Sequence, residues 1–240
     1  MGLNDEIEST LDWWSKAGAD TIVGDEPGSW LKPPAEESKI AAAAAALADP
    51  AKASALPSTP SSLDEFRQWM LDSDIVPAAR AARCDAEGDP SSGLMIVLDM
   101  PEAGDAEAGH LLMGEAGMLF DRMLAAIGRD RASAYLATMS PARPPGGGID
   151  DALEEKLAEA VRRHAELAAP KWLLAMGDAP SRAFCGANLN TARGKQPILN
   201  HDGGKMAVIA TFHPRFLLRQ PAFKAQSWKD LQMLSKGMSA

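Results

Sequence analysis

The residues best placed to do chemistry lie towards the C-terminal end, in Met206-Ala-Val-Ile-Ala-Thr-Phe-His-Pro-Arg-Phe-Leu-Leu-Arg-Gln-Pro and on to Trp228-Lys-Asp-Leu. The apolar run Ala207 to Phe212 reads as a buried strand that empties into a His213-Pro214 turn. An imidazole at the carboxyl end of a strand stands where open α/β sheets bind their ligands. A lone histidine is more often a satisfied polar group than a catalyst, but the strand end, Pro214 and the cationic, apolar-tipped loop after it favour a site. Asp99 leaves the end of another apolar run, Leu94 to Asp99, and faces the same crevice as a water-positioning acid or general base, or else caps a turn. Glu102, Asp105 and Glu107 follow it closely and read as a solvated acidic loop. Arg143-Pro-Pro and the glycines Gly146 to Gly148 either approach phosphates through bare backbone amides or form a flexible loop without a ligand. They fit neither a Walker nor a Rossmann fingerprint. His110, His164 and His201 show no ligand spacing, and Cys84 and Cys185 show neither zinc nor redox spacing, so no metal site is expected.

These groups need a scaffold, and the hydrophobic pattern supplies one. Four strand-like runs, Leu94 to Asp99, Ala134 to Met139, Trp172 to Met176 and Ala207 to Phe212, alternate with helical patterns. The helices are expected at Leu63 to Asp72, Glu115 to Ile127, Asp150 to Ala168, Ala179 to Cys185 and Ala222 to Leu234. Strands alternating with helices indicate a three-layer α/β/α domain with a four-stranded parallel sheet. Its expected span is 63–240, preceded by an N-terminal helical arm over 1–31, with Trp13-Trp14, and an Ala/Pro/Ser-rich linker over 32–62.

The 240 residues, 46% of them hydrophobic, suffice for one substantial core. Two cysteines cannot form a disulfide framework, the acidic N-terminus is no signal peptide, and no apolar run is long enough to span a membrane. The expectation is a cytoplasmic monomer with no membrane association. A net charge of -9 argues against indiscriminate nucleic-acid binding. The distribution is uneven, however: residues 1–60 carry ten acidic and four basic side chains, whereas residues 193–236 carry eight basic against two acidic. The basic stretch is the one with the His-Pro motif, which favours a phosphate-contacting rim over a merely solvated face.

The C-terminal block closely resembles the corresponding motif of the uracil-DNA glycosylase superfamily, most of all its family-four branch, where a Thr-Tyr-His-Pro turn precedes Leu-Leu-Arg and a Trp-x-Asp-Leu helix. The likeness extends from about Leu94 to Leu234, through Asp121-Arg-Met-Leu-Ala-Ala-Ile-Gly, Arg143-Pro-Pro-Gly and Ala169-Pro-Lys. It implies that His213 donates to an oxygen of the departing base and stabilises the anion that forms. It also implies that Pro214, Arg215, Phe216, Leu217, Leu218 and Arg219, with Arg143, contact DNA as wedge and clamp when a base is extruded. Alternatively, Leu217 and Leu218 simply pack under the turn.

Leu98-Asp99-Met100-Pro101-Glu102 stands where the family reads Gly-Glu-Ala-Pro-Gly, which keeps an acid at Asp99 and places Met100 and Pro101 in the base pocket. By the same resemblance Leu112 replaces an aromatic ring that stacks on the base, and Thr138 replaces an asparagine that reads its edge. Threonine lacks the paired donor and acceptor of an amide, so discrimination of uracil by that amide is expected to be lost. Family-four enzymes typically carry an iron-sulfur cluster on four cysteines; Ala142 stands where one ligand would be, and no cluster is expected here. Two readings stay open: a DNA-repair N-glycosidic hydrolase without a cofactor, and a catalytically inactive descendant that binds DNA, or a protein through the N-terminal arm.

Overall fold

The computed structural model describes residues 60–201 and 204–239. The expected N-terminal arm and nearly all of the expected linker lie outside the described residues.

Helix α1 (Leu63–Asp72) begins where the Ser62 hydroxyl accepts from the Glu65 amide, and acidic Asp64 and Glu65 occupy its positive end. Its buried Phe66 and Met70 pack on Ala160 of α4 (Asp151–Ala168). The sheet comprises β1 (Glu87–Gly88), β2 (Leu94–Leu98), β3 (Tyr135–Thr138), β4 (Trp172–Met176), β5 (Ile198–His201) and β6 (Gly204–Thr211), in the spatial order β1-β3-β2-β4-β6-β5. The four strands expected from sequence form its parallel centre, β3-β2-β4-β6.

The sheet as a whole is six-stranded and mixed, which corrects the expected four-stranded parallel one: β1 and β5 pair antiparallel at the two edges. Neither edge strand carries an apolar run. One is two residues long, and the other is Ile-Leu-Asn-His, with no residue fully buried. Gly88 is required where β1 meets β3, because a Cβ there would stand 2.0 Å from the Ala134 carbonyl oxygen.

Alternate residues of β2 enter two different cores. Leu94, Ile96 and Leu98 join Phe120, Met123 and Leu124 of α3 (Gly114–Ala125) and Leu231 and Leu234 of α8 (Lys224–Met238). Met95 and Val97 face the other way, towards Leu157 and Val161 of α4 and Ala183 and Phe184 of α5 (Asp178–Cys185). Helices therefore cover both faces, and the central strands read as continuous apolar runs because both faces are buried.

The chain passes from β2 to β3 on one side and to β4 on the other. The carboxyl ends of β2, β4 and β6 thus lie where strand order reverses, the place at which open α/β sheets bind ligands.

Short helices complete the domain: α2 (Asp105–Ala108), α6 (Leu189–Ala192) and α7 (Pro214–Arg219). The segment after His213 was expected to be a loop, and α7 corrects that. Proline at its first helical position has φ preset and no amide to satisfy, but a single turn and a half is too short to show a periodic pattern. Among the described residues no helix is long and apolar enough to cross a membrane.

Candidate active site

His213 stands two residues beyond β6 and caps α7, its Nδ1 accepting the Arg215 amide at 3.1 Å. A nitrogen that accepts carries no proton, so in the neutral ring the proton sits on Nε2. That Nε2 is buried and reaches no hydrogen-bond partner among the described residues; Asp99 Oδ1 lies 3.7 Å away. Burial pushes the imidazole pKa down to about 4, outweighing the nearby carboxylates of Asp99 and Asp105, and the Arg215 charge pushes the same way as burial. At neutral pH the group is therefore an uncharged donor. Gly177, the residue after β4, takes φ +108°, which disfavours any side chain; a Cβ there would meet His213 Cβ only at an ordinary contact distance of 3.8 Å.

Asp99 does more than cap a turn. Its Oδ1 accepts the Met100 amide at 2.8 Å, while its Oδ2 receives Arg215 Nη2 at 2.6 Å. Arg215 Nη1 binds Glu102 Oε1 at 2.7 Å, and the same carboxylate oxygen is 3.9 Å from His213 Nδ1. One guanidinium thus joins two carboxylates beside the imidazole. Burial raises the Glu102 pKa against the opposing pull of Arg215, with Asp99 adding to the rise and Arg143 opposing it.

The expected solvated acidic loop is corrected at two of its three members. Glu102 is half-buried in the ion pair, and Asp105 is fully buried, accepting the amides of Glu102 at 2.8 Å, Leu112 at 2.8 Å and Met113 at 2.9 Å. Only Glu107 is exposed. A carboxylate accepting three amides replaces solvent fully, which sequence position alone does not reveal.

All four expected base-pocket residues, Met100, Pro101, Leu112 and Thr138, are buried. Met100 and Pro101 follow Asp99, and Thr138 ends β3 in register with Leu98. Leu112 adopts φ +53°, and its side chain lies in the core with Leu98. Asp105 holds its amide, and Arg131 donates to its carbonyl at 2.8 Å and to that of Leu111 at 2.6 Å. Arg131 was not singled out from sequence; it lies in an ordinary polar stretch.

The expected DNA-contacting residues divide into inward and outward groups. Arg215 turns inward into its two ion pairs, Pro214 and Leu217 are buried, and Phe216 stacks on Phe212 with ring centroids 5.1 Å apart. Leu217 and Phe216 thus pack against the core, because a helix turns every third or fourth residue towards the sheet. Leu218 and Arg219 face solvent, as does Arg143, which reaches the Pro101 carbonyl at 3.5 Å. Of the Gly146 to Gly148 loop, the Gly147 amide is already bound to the Pro144 carbonyl at 2.9 Å.

Behind the site, Asp230 of the Trp228-Lys-Asp-Leu motif accepts from the Thr211 hydroxyl at 2.9 Å and from Arg193 Nε at 2.7 Å, and Thr211 also meets Ser227 at 2.9 Å. This network ties α8 to the last residue of β6 and fixes where His213 emerges.

The residues present do not fit an iron-sulfur cluster. Ala142 is buried, and the chain's cysteines, Cys84 and Cys185, supply two thiols where four thiolates are needed, both pushed up to about 11 by burial. Among the described residues no group of three or more His, Cys, Asp or Glu side chains is placed to hold a metal ion. A surface cavity of about 270 Å³ lies elsewhere, lined by Cys185, Thr191 and Lys195, and holds none of these groups.

An imidazole and a carboxylate thus stand 3.7 Å apart at the strand ends of a parallel-centred α/β/α domain. Residues 86–232 match the Uracil DNA glycosylase superfamily over more than half of the chain, and the chain belongs to that superfamily. It is similar to the Type-4 uracil-DNA glycosylase of Pyrobaculum aerophilum, 27% identical over 158 residues that cover 63% of this chain and 81% of that protein. The Type-4 uracil-DNA glycosylases of Archaeoglobus fulgidus and Thermotoga maritima are 24% and 27% identical, over 62% and 55% of this chain and 78% and 70% of their own lengths.

Proposed function

We propose that the protein hydrolyses an N-glycosidic bond in DNA, releasing a flipped uracil or other damaged base without a resident cofactor. The observation that carries this reading is the buried, neutral His213, whose proton-bearing Nε2 faces Asp99 across the crevice. Water adds to the sugar C1′ and loses its proton to Asp99, the C1′–N bond breaks, and the electron pair leaves with the base. The Nε2 hydrogen then bonds the oxygen on which that charge collects. Met100, Pro101, Leu112 and Thr138 shape the base pocket, and Leu218, Arg219 and Arg143 meet the DNA strand.

Single-turnover excision tests this, with protein in excess over single- and double-stranded oligonucleotides carrying uracil, hypoxanthine or xanthine, and His213→Ala as control. Release of a base that falls by about 10²–10³-fold in the control supports the reading. Uracil is expected to be a weak substrate, because Thr138 offers no amide to read its edge. The same feature, with a leucine at position 112, favours the second reading, a DNA-binding descendant without turnover. Salt-dependent DNA binding with no release of any base would decide for it.

A further inference from the structure

We propose that Arg215 is a positioning residue rather than a DNA contact: it clamps Asp99 and Glu102 together and holds the first of them towards His213. The inference rests on the reading of Asp99 as the water-activating acid. Its ground is geometric. The guanidinium spends Nη2 on Asp99 Oδ2 at 2.6 Å and Nη1 on Glu102 Oε1 at 2.7 Å, leaving Asp99 Oδ1 as the oxygen nearest His213 Nε2. The backbone amide of the same residue binds His213 Nδ1, so one residue sets both the direction of the acid and the tautomer of the histidine.

The charged and titratable groups at this point are Asp99, Glu102 and Asp105 from the β2 end and the turn after it, Arg143 from the β3 end, and His213 and Arg215 from the β6 end. Arg215 is the cation paired with both Asp99 and Glu102. Two carboxylates this close resist joint ionisation without a cation between them. Arginine suits the place because its planar fork reaches two acceptors at once and never loses its charge, whereas a lysine offers a single point charge. Net negative charge is retained beside the sugar, which becomes cationic as the glycosidic bond breaks.

The test compares Arg215→Met and Arg215→Lys with the unaltered chain. Base excision at pH 7 is expected to fall about 10²-fold in Arg215→Met and to recover in part in Arg215→Lys. The acid limb of the excision profile should move to higher pH in the methionine variant, as Glu102 loses the cation that opposes its protonation. Oligonucleotide affinity and its salt slope should stay unchanged. A salt slope reduced by about one would make Arg215 a phosphate contact and overturn the proposal. Unchanged excision and pH profile would overturn it equally.

If the unaltered protein releases no base at all, the hydrolase reading fails by itself. The clamp is then read from the His213 ring proton in an NMR titration, which should shift upward in pKa in Arg215→Met. Glu102→Gln gives a second route if the methionine variant does not fold, since glutamine keeps an acceptor for Arg215 but removes the charge. Its His213 titration should move less than that of Arg215→Met, and an equal or larger shift would count against Arg215 as the organiser.

Discussion

At the scale of single residues, the site is defined by which polar groups the fold deprives of water. His213 is 4% exposed and titrates near pH 4, so a histidine-dependent reaction should hold its rate well below the ordinary imidazole range. The acid limb assigned to His213 is expected at about pH 4 in a pH–rate profile; a limb near 6.5 that disappears in His213→Ala would contradict the buried neutral donor. Asp105 is a case of the opposite kind, an acid whose task is to fill three amide donors. Asp105→Asn should destabilise the protein by about 1–3 kcal/mol, read by denaturant unfolding, because one amide then faces a donor instead of an oxygen. Sequence marked His213 and Asp99 as strand-end residues, and both meet at the crevice. It did not mark Glu102, Asp105 or Arg131 correctly, because whether an exposed-looking acid is solvated depends on partners 3 to 113 residues away.

At the scale of elements, the site depends on two rigid supports. The first is the loop that carries Leu112, pressed against α3 where Gly117 leaves no room: a Cβ there would lie 1.7 Å from the Leu112 carbonyl oxygen. Gly117→Ala should therefore displace the loop and lower stability by about 1–3 kcal/mol, with a matching loss of base binding but unchanged salt dependence. The second is the N-terminal approach to the sheet. Arg83 bridges Ala142 through its backbone and donates to the carbonyls of Leu71 at 2.9 Å, Ser73 at 2.6 Å, Val76 at 3.1 Å and Ala78 at 3.0 Å. A permanent cation thus gathers the turn after α1 beside Ala142. Lysine cannot reach four carbonyls in a plane, so Arg83→Lys should expose residues 71–78 to limited proteolysis while leaving the sheet folded; unchanged cleavage would refute that role.

For the molecule as a whole, two buried histidines make stability depend on pH. His164, which meets the Tyr135 hydroxyl at 2.8 Å, and His213 both have pKa values pushed down to about 4, by burial foremost. Between pH 6.5 and 4 the unfolded chain binds protons that the folded one excludes, so this stability is complete above the ordinary value and is lost as pH falls. Each histidine contributes on the order of 3 kcal/mol. The Tm is expected to drop between pH 7 and 5, and less so in His164→Gln; a Tm that is flat over that range would count against it.

The basic C-terminal stretch is also less free than its sum suggests. Arg193 and Arg215 are consumed internally by Asp230, Asp99 and Glu102, which leaves Arg219, Lys224 and Lys229 among the exposed cations. By itself the sequence determined the central parallel strands, their covering helices and the strand-end placement of His213 and Asp99, since continuous apolar runs and helical spacing are local signals that burial enforces. The tertiary structure alone decided the edge strands, the helical turn after His213 and the inward aim of Arg215. The β1 edge and the aim of Arg215 rest on partners distant in the chain, whereas α7 and the β5–β6 hairpin are local but too short or too polar to leave a periodic signal.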